Sequence, residues 1–263
     1  MLPCRNTCKK KPVKYLQITN MFPKYGRGKN LPEELSIVTI GETPSCAKCG
    51  IKAQEKACLV EKGKPSKSCP TIHQKTVLEK AGEGYSSTGI REFARQASIQ
   101  EAQCYINRDA GYGRHPVKPR ILEICEFAKK MEYKRLGFAY CGGLQEEAAA
   151  VNKILEAHGF EVISVICKVG CTPKEEIGIK EEQKVRIGQF ETMCNPLGQA
   201  ELLNREESDF NIIMGLCVGH DSLFFSKAQA PTTVLAVKDR LLGHNPLAAI
   251  YNLGSYYEWL WET

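Results

Sequence analysis

At 263 residues the chain can hold one α/β domain with a sizeable core and a smaller module beside it. Its 43% hydrophobic and 25% charged residues are ordinary for a soluble protein, and no apolar run approaches the ~20 residues of a membrane span, which argues against an integral helical membrane protein. The net charge of +6 is unevenly placed: residues 1–32 carry eight basic residues and no acid, so the remainder is slightly acidic and nucleic-acid binding is expected, if anywhere, only through this tail.

Cysteine is the outlier, with thirteen residues. The start, Met1-Leu2-Pro3-Cys4-Arg5, lacks the apolar core of a signal peptide, so a cytoplasmic chain is expected. In a reducing compartment an odd, high cysteine count points to thiolates bound to metal, with some buried spectators, rather than to disulfides.

Residues 1–40 show no sustained period and are broken by Pro12, Pro23, Gly26, Gly28 and Pro32, which predicts a basic extension. Cys4 and Cys8 within it read as free thiols or half a metal site. Residues 41–85 form a Cys-rich module with Cys46-Ala47-Lys48-Cys49-Gly50, Cys58 and Cys69-Pro70. A Cys-x-x-Cys turn presents two thiolates to one ion, and two further cysteines complete a set suited to zinc or an iron–sulfur centre.

From residue 86 an α/β domain is expected. A helix capped by Ser87 or Thr88 carries Ile90, Phe93, Ala94, Ala97, Cys104 and Tyr105 roughly on one face, and a second runs from about Pro119 to Glu132 with Cys125 inward. Cys104 and Cys125 therefore read as core. Gly111 to Pro119 is a loop between them. Strands follow at 135–140 and 160–167, separated by a helix through Leu144, Ala148, Val151 and Leu155 that Gly159 ends. The charged stretch 173–192 is expected to be helical. Asn195-Pro196 opens the next helix and Asn245-Pro246 the last one, Asn being a favoured cap and Pro a favoured first residue. Between them lie a strand that leads to Cys217 and another over Thr232–Val237. This alternation predicts an open, mostly parallel, Rossmann-like sheet with flanking helices.

Three apolar runs finish in cysteine: Leu136–Tyr140 in Cys141, Val162–Ile166 in Cys167, and Ile212–Leu216 in Cys217. Ligands of open α/β sheets bind beyond the carboxyl ends of the strands. Cys194 stands just before a helix N-terminus, where the backbone favours a thiolate. Cys141, Cys167, Cys194 and Cys217 are thus the expected ligand set, suited to a [4Fe–4S] cluster and also able to hold zinc. His220 and Asp221 follow Cys217 and read as proton-handling groups or as turn residues that hydrogen-bond behind the ligands. Lys238, with Asp239 and Arg240, ends a strand and suits an anionic group or a local salt bridge. A thiol nucleophile, Cys217 with His220, is a further chemical reading.

The strings Gly137-Phe138-Ala139-Tyr140-Cys141, Gly159 through Cys167-Lys168-Val169-Gly170, Cys194-Asn195-Pro196 with Gln199 to Asn204, Gly215 through Asp221, and Val237 through Pro246 resemble those of the prokaryotic domain of unknown function family 1847. Members are often labelled cysteine-rich or metal-binding, and the resemblance covers about residues 44–258. It implies metal binding and no particular reaction. The expectation is an iron–sulfur protein with one or two clusters, redox-active and served by an electron-donor protein. Its rival is a zinc-binding structural or interaction protein.

Overall fold

The computed structural model describes residues 43–109 and 114–262, so the basic extension with Cys4 and Cys8 lies outside the described residues, as does part of the loop after Gly111. The chain divides into two units, one ending at Thr76 and the other beginning at Val77. In the first, short turns carry the cysteines: a 3-10 turn at Cys46–Lys48, another at Ala53–Glu55, and the one-turn helix α1 at Pro70–His73. The Ser45 and Ser68 hydroxyls, 2.6 Å apart, and a bridge between Lys56 and Lys64 close the segment on itself. No residue from 43 to 76 is buried. Helix α2, Lys75–Glu83, straddles the division.

The second unit opens with α3, Thr88–Gln103, whose N-cap Ser87 makes no side-chain capping bond. A two-residue ribbon follows, β1 (Tyr105–Ile106) antiparallel to β2 (His115–Pro116), and then α4, Arg120–Lys130. The remainder alternates: β3 Arg135–Tyr140, α5 Gln145–Ala157, β4 Glu161–Ile166, α6 Pro196–Arg205, β5 Phe210–Met214, α7 His220–Lys227, β6 Thr232–Ala236 and the short α8 Leu247–Tyr251. The four long strands form one parallel sheet in the order β4-β3-β5-β6, with Leu136 of β3 opposite Val162 on one side and Phe210 on the other. The chain winds outward from β3 to β4 and then crosses back to β5. The connecting helices α5 and α6 pack on opposite faces of the sheet.

Strand alternation explains both cores. Leu136, Phe138 and Tyr140 of β3, with Ile212 and Met214 of β5, pack against Ile124 and Phe127 of α4 and Ala148 and Leu155 of α5. Ala139, Val165 and Ile213 face the other way, onto Ala200 and Leu203 of α6 and Phe224 of α7. Helices thus cover both faces of a sheet whose central strands are buried throughout, the pattern of parallel sheets. Cys125 is fully buried in the first core and Cys104 is buried beside it, in keeping with their inward helical positions. Gly159 takes φ 91° after α5, where a left-handed residue ends the helix.

The charged stretch 173–192 is not a helix. It holds two 3-10 turns, Lys174–Ile177 and Glu181–Gln183, in a loop closed by a bridge between Pro173 and Thr192. Gly178 and Gly188 sit at φ 77° and 79°, which an α-helix cannot accommodate. Its charges pair across the loop: Lys174 to Glu191 at 2.6 Å, and Lys184 to both Glu175 and Glu181. Asn245 likewise caps less than its spacing promises, for α8 starts at Leu247 with no side-chain cap. Among the described residues no helix is long and apolar enough to cross a membrane.

Close approach of α6 to the sheet makes Gly137 obligatory: a Cβ there would lie 2.1 Å from Asn211 Oδ1 and 2.9 Å from Leu203 Cδ1. Gly137→Ala is expected to destabilise the protein by about 1–3 kcal/mol, read as a lower urea midpoint with an unchanged m value. An unchanged midpoint would contradict this packing.

Candidate functional site

All four cysteines of the expected set lie at the carboxyl edge of the sheet, on the side covered by α6 and α7. Cys141 directly follows β3 and its N–H bonds the Met214 carbonyl at 3.0 Å. Cys167 directly follows β4, with its N–H on the Tyr140 carbonyl at 2.9 Å. Cys217 comes three residues after β5, past Gly215 at φ 70°. Gly215 has no room for a side chain, since a Cβ would meet Leu144 Cδ1 at 2.3 Å.

Cys194 arrives by a different route. The Asn195 amide N–H bonds the Cys167 carbonyl at 2.7 Å, and its Oδ1 accepts the Gly198 N–H at 2.8 Å, capping α6. The Asn195 side-chain N–H₂ reaches the Val169 carbonyl at 3.3 Å. One turn on, the fully buried Gln199 donates through Nε2 to the carbonyls of both Tyr140 (3.1 Å) and Val165 (2.7 Å). Tyr140 is the last paired residue before Cys141, and Val165 the last but one before Cys167, so α6 is pinned where the thiols emerge.

The result is a chain of contacts. Cys167, buried, interacts through its side chain with both Cys141 and Cys194, and Cys194 in turn with His220, the first residue of α7. The Gly142 N–H points at Cys167 Sγ at 3.3 Å. Lys238 stands beside Cys141, and Arg240 Nη2 donates to Cys217 Sγ at 3.1 Å. Cys141, Cys194 and Cys217 each face a different basic side chain.

These contacts set the proton affinities. Cys141 is lowered to about 5, first by its hydrogen bond with Cys167, against burial, and further by the Gly143 N–H and the Lys238 charge. Cys194 is lowered to about 4 by its bonds with Cys167 and His220, again against burial. Cys167 is raised by the same two thiol contacts and by burial. A thiol has one proton, so Cys167 donates to one flank at a time while the other leans on its basic partner. His220 is raised, chiefly by its bond with Cys194.

The other expected site residues sort clearly. Lys238 joins the thiols. The Asp221 carboxylate instead accepts the N–H groups of Gly219 (3.0 Å) and Ser222 (2.8 Å) and so shapes the start of α7. Asp239 is a turn former, accepting from Leu241 and Leu242, and His244 Nδ1 accepts its N–H at 3.1 Å. In the first unit Cys46 and Cys58 are exposed and Cys49 and Cys69 half-exposed. Burial raises Cys69, but the Thr71 hydroxyl and the N–H groups of Thr71 and Ile72 outweigh it and lower the thiol. As the side chains stand, no group of three or more His, Cys, Asp or Glu among the described residues is placed to hold a single ion.

Sequence reasoning missed two positioning elements. Gln199 gives no signal beyond lying one turn before Leu203 on the inward face of α6, and α7, eight residues with its apolar side chains adjacent, is too short to show a period. In metal-free, reduced protein, iodoacetamide at pH 6 is expected to label Cys141 and Cys194 well ahead of Cys104 and Cys125, which burial raises. Thiols held below pH 6 remain thiolates there. Equal labelling by peptide mass spectrometry would contradict the contact chain.

The model of a family described as "Protein of unknown function (DUF1847)" matches residues 69–235. The match includes all four sheet-edge cysteines and Cys69; Cys46, Cys49, Cys58 and Lys238 fall outside it. An uncharacterized protein of Methanocaldococcus jannaschii, MJ0455, is 46% identical over 168 residues, 64% of this chain and 83% of that protein. No solved structure matches the chain. The chain belongs to the DUF1847 family.

Proposed function

We propose that the chain is a cytoplasmic iron–sulfur protein with a redox or electron-transfer role. Cys141, Cys167, Cys194 and Cys217 would hold a [4Fe–4S] cluster at the carboxyl edge of a Rossmann-like sheet. The observation that carries this reading is the contact of Cys167 with both Cys141 and Cys194, with Lys238, His220 and Arg240 set around the outer sulfurs. Sheet folds place ligands where the strand order reverses, and here that crevice opens between β3 and β5, beside Cys141 and Cys217.

The donor set fits in chemistry. Four thiols from four separate segments are what a cluster embedded in a fold requires, and basic partners offset the negative charge that four thiolates bring together. Bound there, a cluster supplies one-electron transfer. The chain's own groups then have defined tasks. Lys238 and Arg240 hold countercharge at Cys141 and Cys217. The Gly142 and Gly143 N–H groups donate toward sulfur, as groups that tune such centres do. His220 stands beside Cys194, which raises its proton affinity, and Asp221 shapes the turn that carries it. Electrons would come from a donor protein.

A second centre is proposed on Cys46, Cys49, Cys58 and Cys69. Residues 43–76 bury no side chain among themselves, and small segments that bury little are commonly held by metal. The second reading is structural zinc without redox chemistry: Cys167 interacts with both Cys141 and Cys194, and four thiolates are a complete tetrahedral set for zinc.

Anaerobic purification followed by iron, acid-labile sulfide and zinc analysis decides between them. About four or eight irons per chain with matching sulfide and a broad band near ~400 nm are expected. Cys167→Ser is expected to remove about four irons while the far-ultraviolet circular dichroism is kept. Zinc alone would replace this reading with the structural one, and folded protein without metal would end both.

A further inference from the structure

At the opposite end and on the opposite face of the sheet lies a cavity of about 540 Å³ that the thiol site does not touch. Phe93 of α3, Ile124 and Phe127 of α4 and Phe210 at the start of β5 form its floor. Phe127 stands edge-on to Phe93 at 5.0 Å between ring centroids and tilted against Phe210 at 5.7 Å. Around the opening are Glu101, Glu123, Arg120 and the hydroxyl-bearing Thr232 and Thr233. The volume lies within the range of small-molecule sites, and the composition, apolar below with a few polar groups at the mouth, is that of a ligand pocket.

Two clamps keep this space open. Between α3 and α4, the buried Gln100 donates to Glu126 at 2.8 Å and accepts from Lys130, while Lys118 pairs with Glu126 at 2.6 Å. Between α4 and the sheet, Arg120 donates to the Val234 carbonyl at 3.0 Å and to Thr233 Oγ1 at 2.8 Å. An apolar gap under a loose helix would close by a small shift of that helix. Here α3 and the edge strand β6 are each tied to α4 by polar bonds that such a shift would break.

The charges around the mouth name the ligand's polar end. Arg120 spends its Nε and Nη2 on β6 and turns Nη1 toward Glu123 at 3.9 Å. The Glu101 carboxylate, one helical turn beyond Ala97, has no ion pair or hydrogen bond among the described residues. The mouth is left with one uncompensated carboxylate above an aromatic floor. We propose that this pocket binds a small amphipathic amine, its aromatic or aliphatic body on Phe93, Phe127 and Phe210 and its ammonium at Glu101. This assignment is independent of what the cysteines hold.

Isothermal titration of the full chain with two matched pairs, tryptamine against indole-3-propionate and phenethylamine against 3-phenylpropionate, tests it. Saturable one-to-one binding of at least one amine is expected, with its acid counterpart about tenfold weaker. Glu101→Gln, at an exposed position, is expected to weaken the amine about threefold and leave the acid no weaker. Ala97→Phe is expected to fill the space and abolish binding while leaving the thermal midpoint within a few degrees. Failure of both amines to saturate, equal binding of acid and amine, or binding that survives both substitutions would overturn the proposal.

Discussion

The arrangement at the sheet edge depends on one side chain. Gln199 is fully buried and shares its amide N–H₂ between the carbonyls of Tyr140 and Val165, the points at which β3 and β4 are about to release Cys141 and Cys167. Losing two buried hydrogen bonds to strand-end carbonyls would cost about 1–3 kcal/mol, so the helix that carries Gln199 has little freedom to slide. Asn195 and Cys194 precede it in the same rigid stretch. Their register relative to the sheet, and with it the contact of Cys194 with Cys167, follows from that bond. Parallel strand pairing then brings in Cys141, and the Gly215 turn, closed by its N–H on the Ala236 carbonyl at 2.7 Å, brings in Cys217.

Charge is distributed with the same economy. The tail carries the basic excess, yet the domain places Lys238, Arg240 and His220 against three different sulfurs. Thiols at a strand edge without basic neighbours would stay protonated and inert. With those neighbours they are prepared either to bind metal or to react, and the half-buried setting strengthens each contact relative to water. Asp221, the carboxylate nearest in sequence, is turned into the backbone of the α7 turn.

Much of this was legible in the sequence because parallel strands covered on both faces read as unbroken apolar runs. Leu136–Tyr140 and Ile212–Met214 declare themselves in that way, and the cysteine that follows each closely marks the strand's end. Asn195-Pro196 is a local signal with a local cause, and the cap bond to Gly198 is its physical content. Cys104 and Cys125 could be set apart from the site by helical period alone. What stayed hidden is tertiary. A charged run such as 173–192 has the composition of a solvated helix, and the two left-handed glycines that unmake it carry weight only when the loop's cross-pairs are seen. Gln199 looks like any helix glutamine until its carbonyl partners are known. The α3 cavity needs an edge strand more than a hundred residues away.

The central claim is that Cys141, Cys167, Cys194 and Cys217 are one ligand set. Anomalous diffraction from crystals of anaerobically purified protein, collected at the iron and zinc absorption edges, tests it directly. The account predicts one strong peak enclosed by those four sulfurs, at the iron edge if the cluster reading holds. Metal-replete crystals with that peak elsewhere, and with free or disulfide-bonded thiols at the sheet edge, would contradict it.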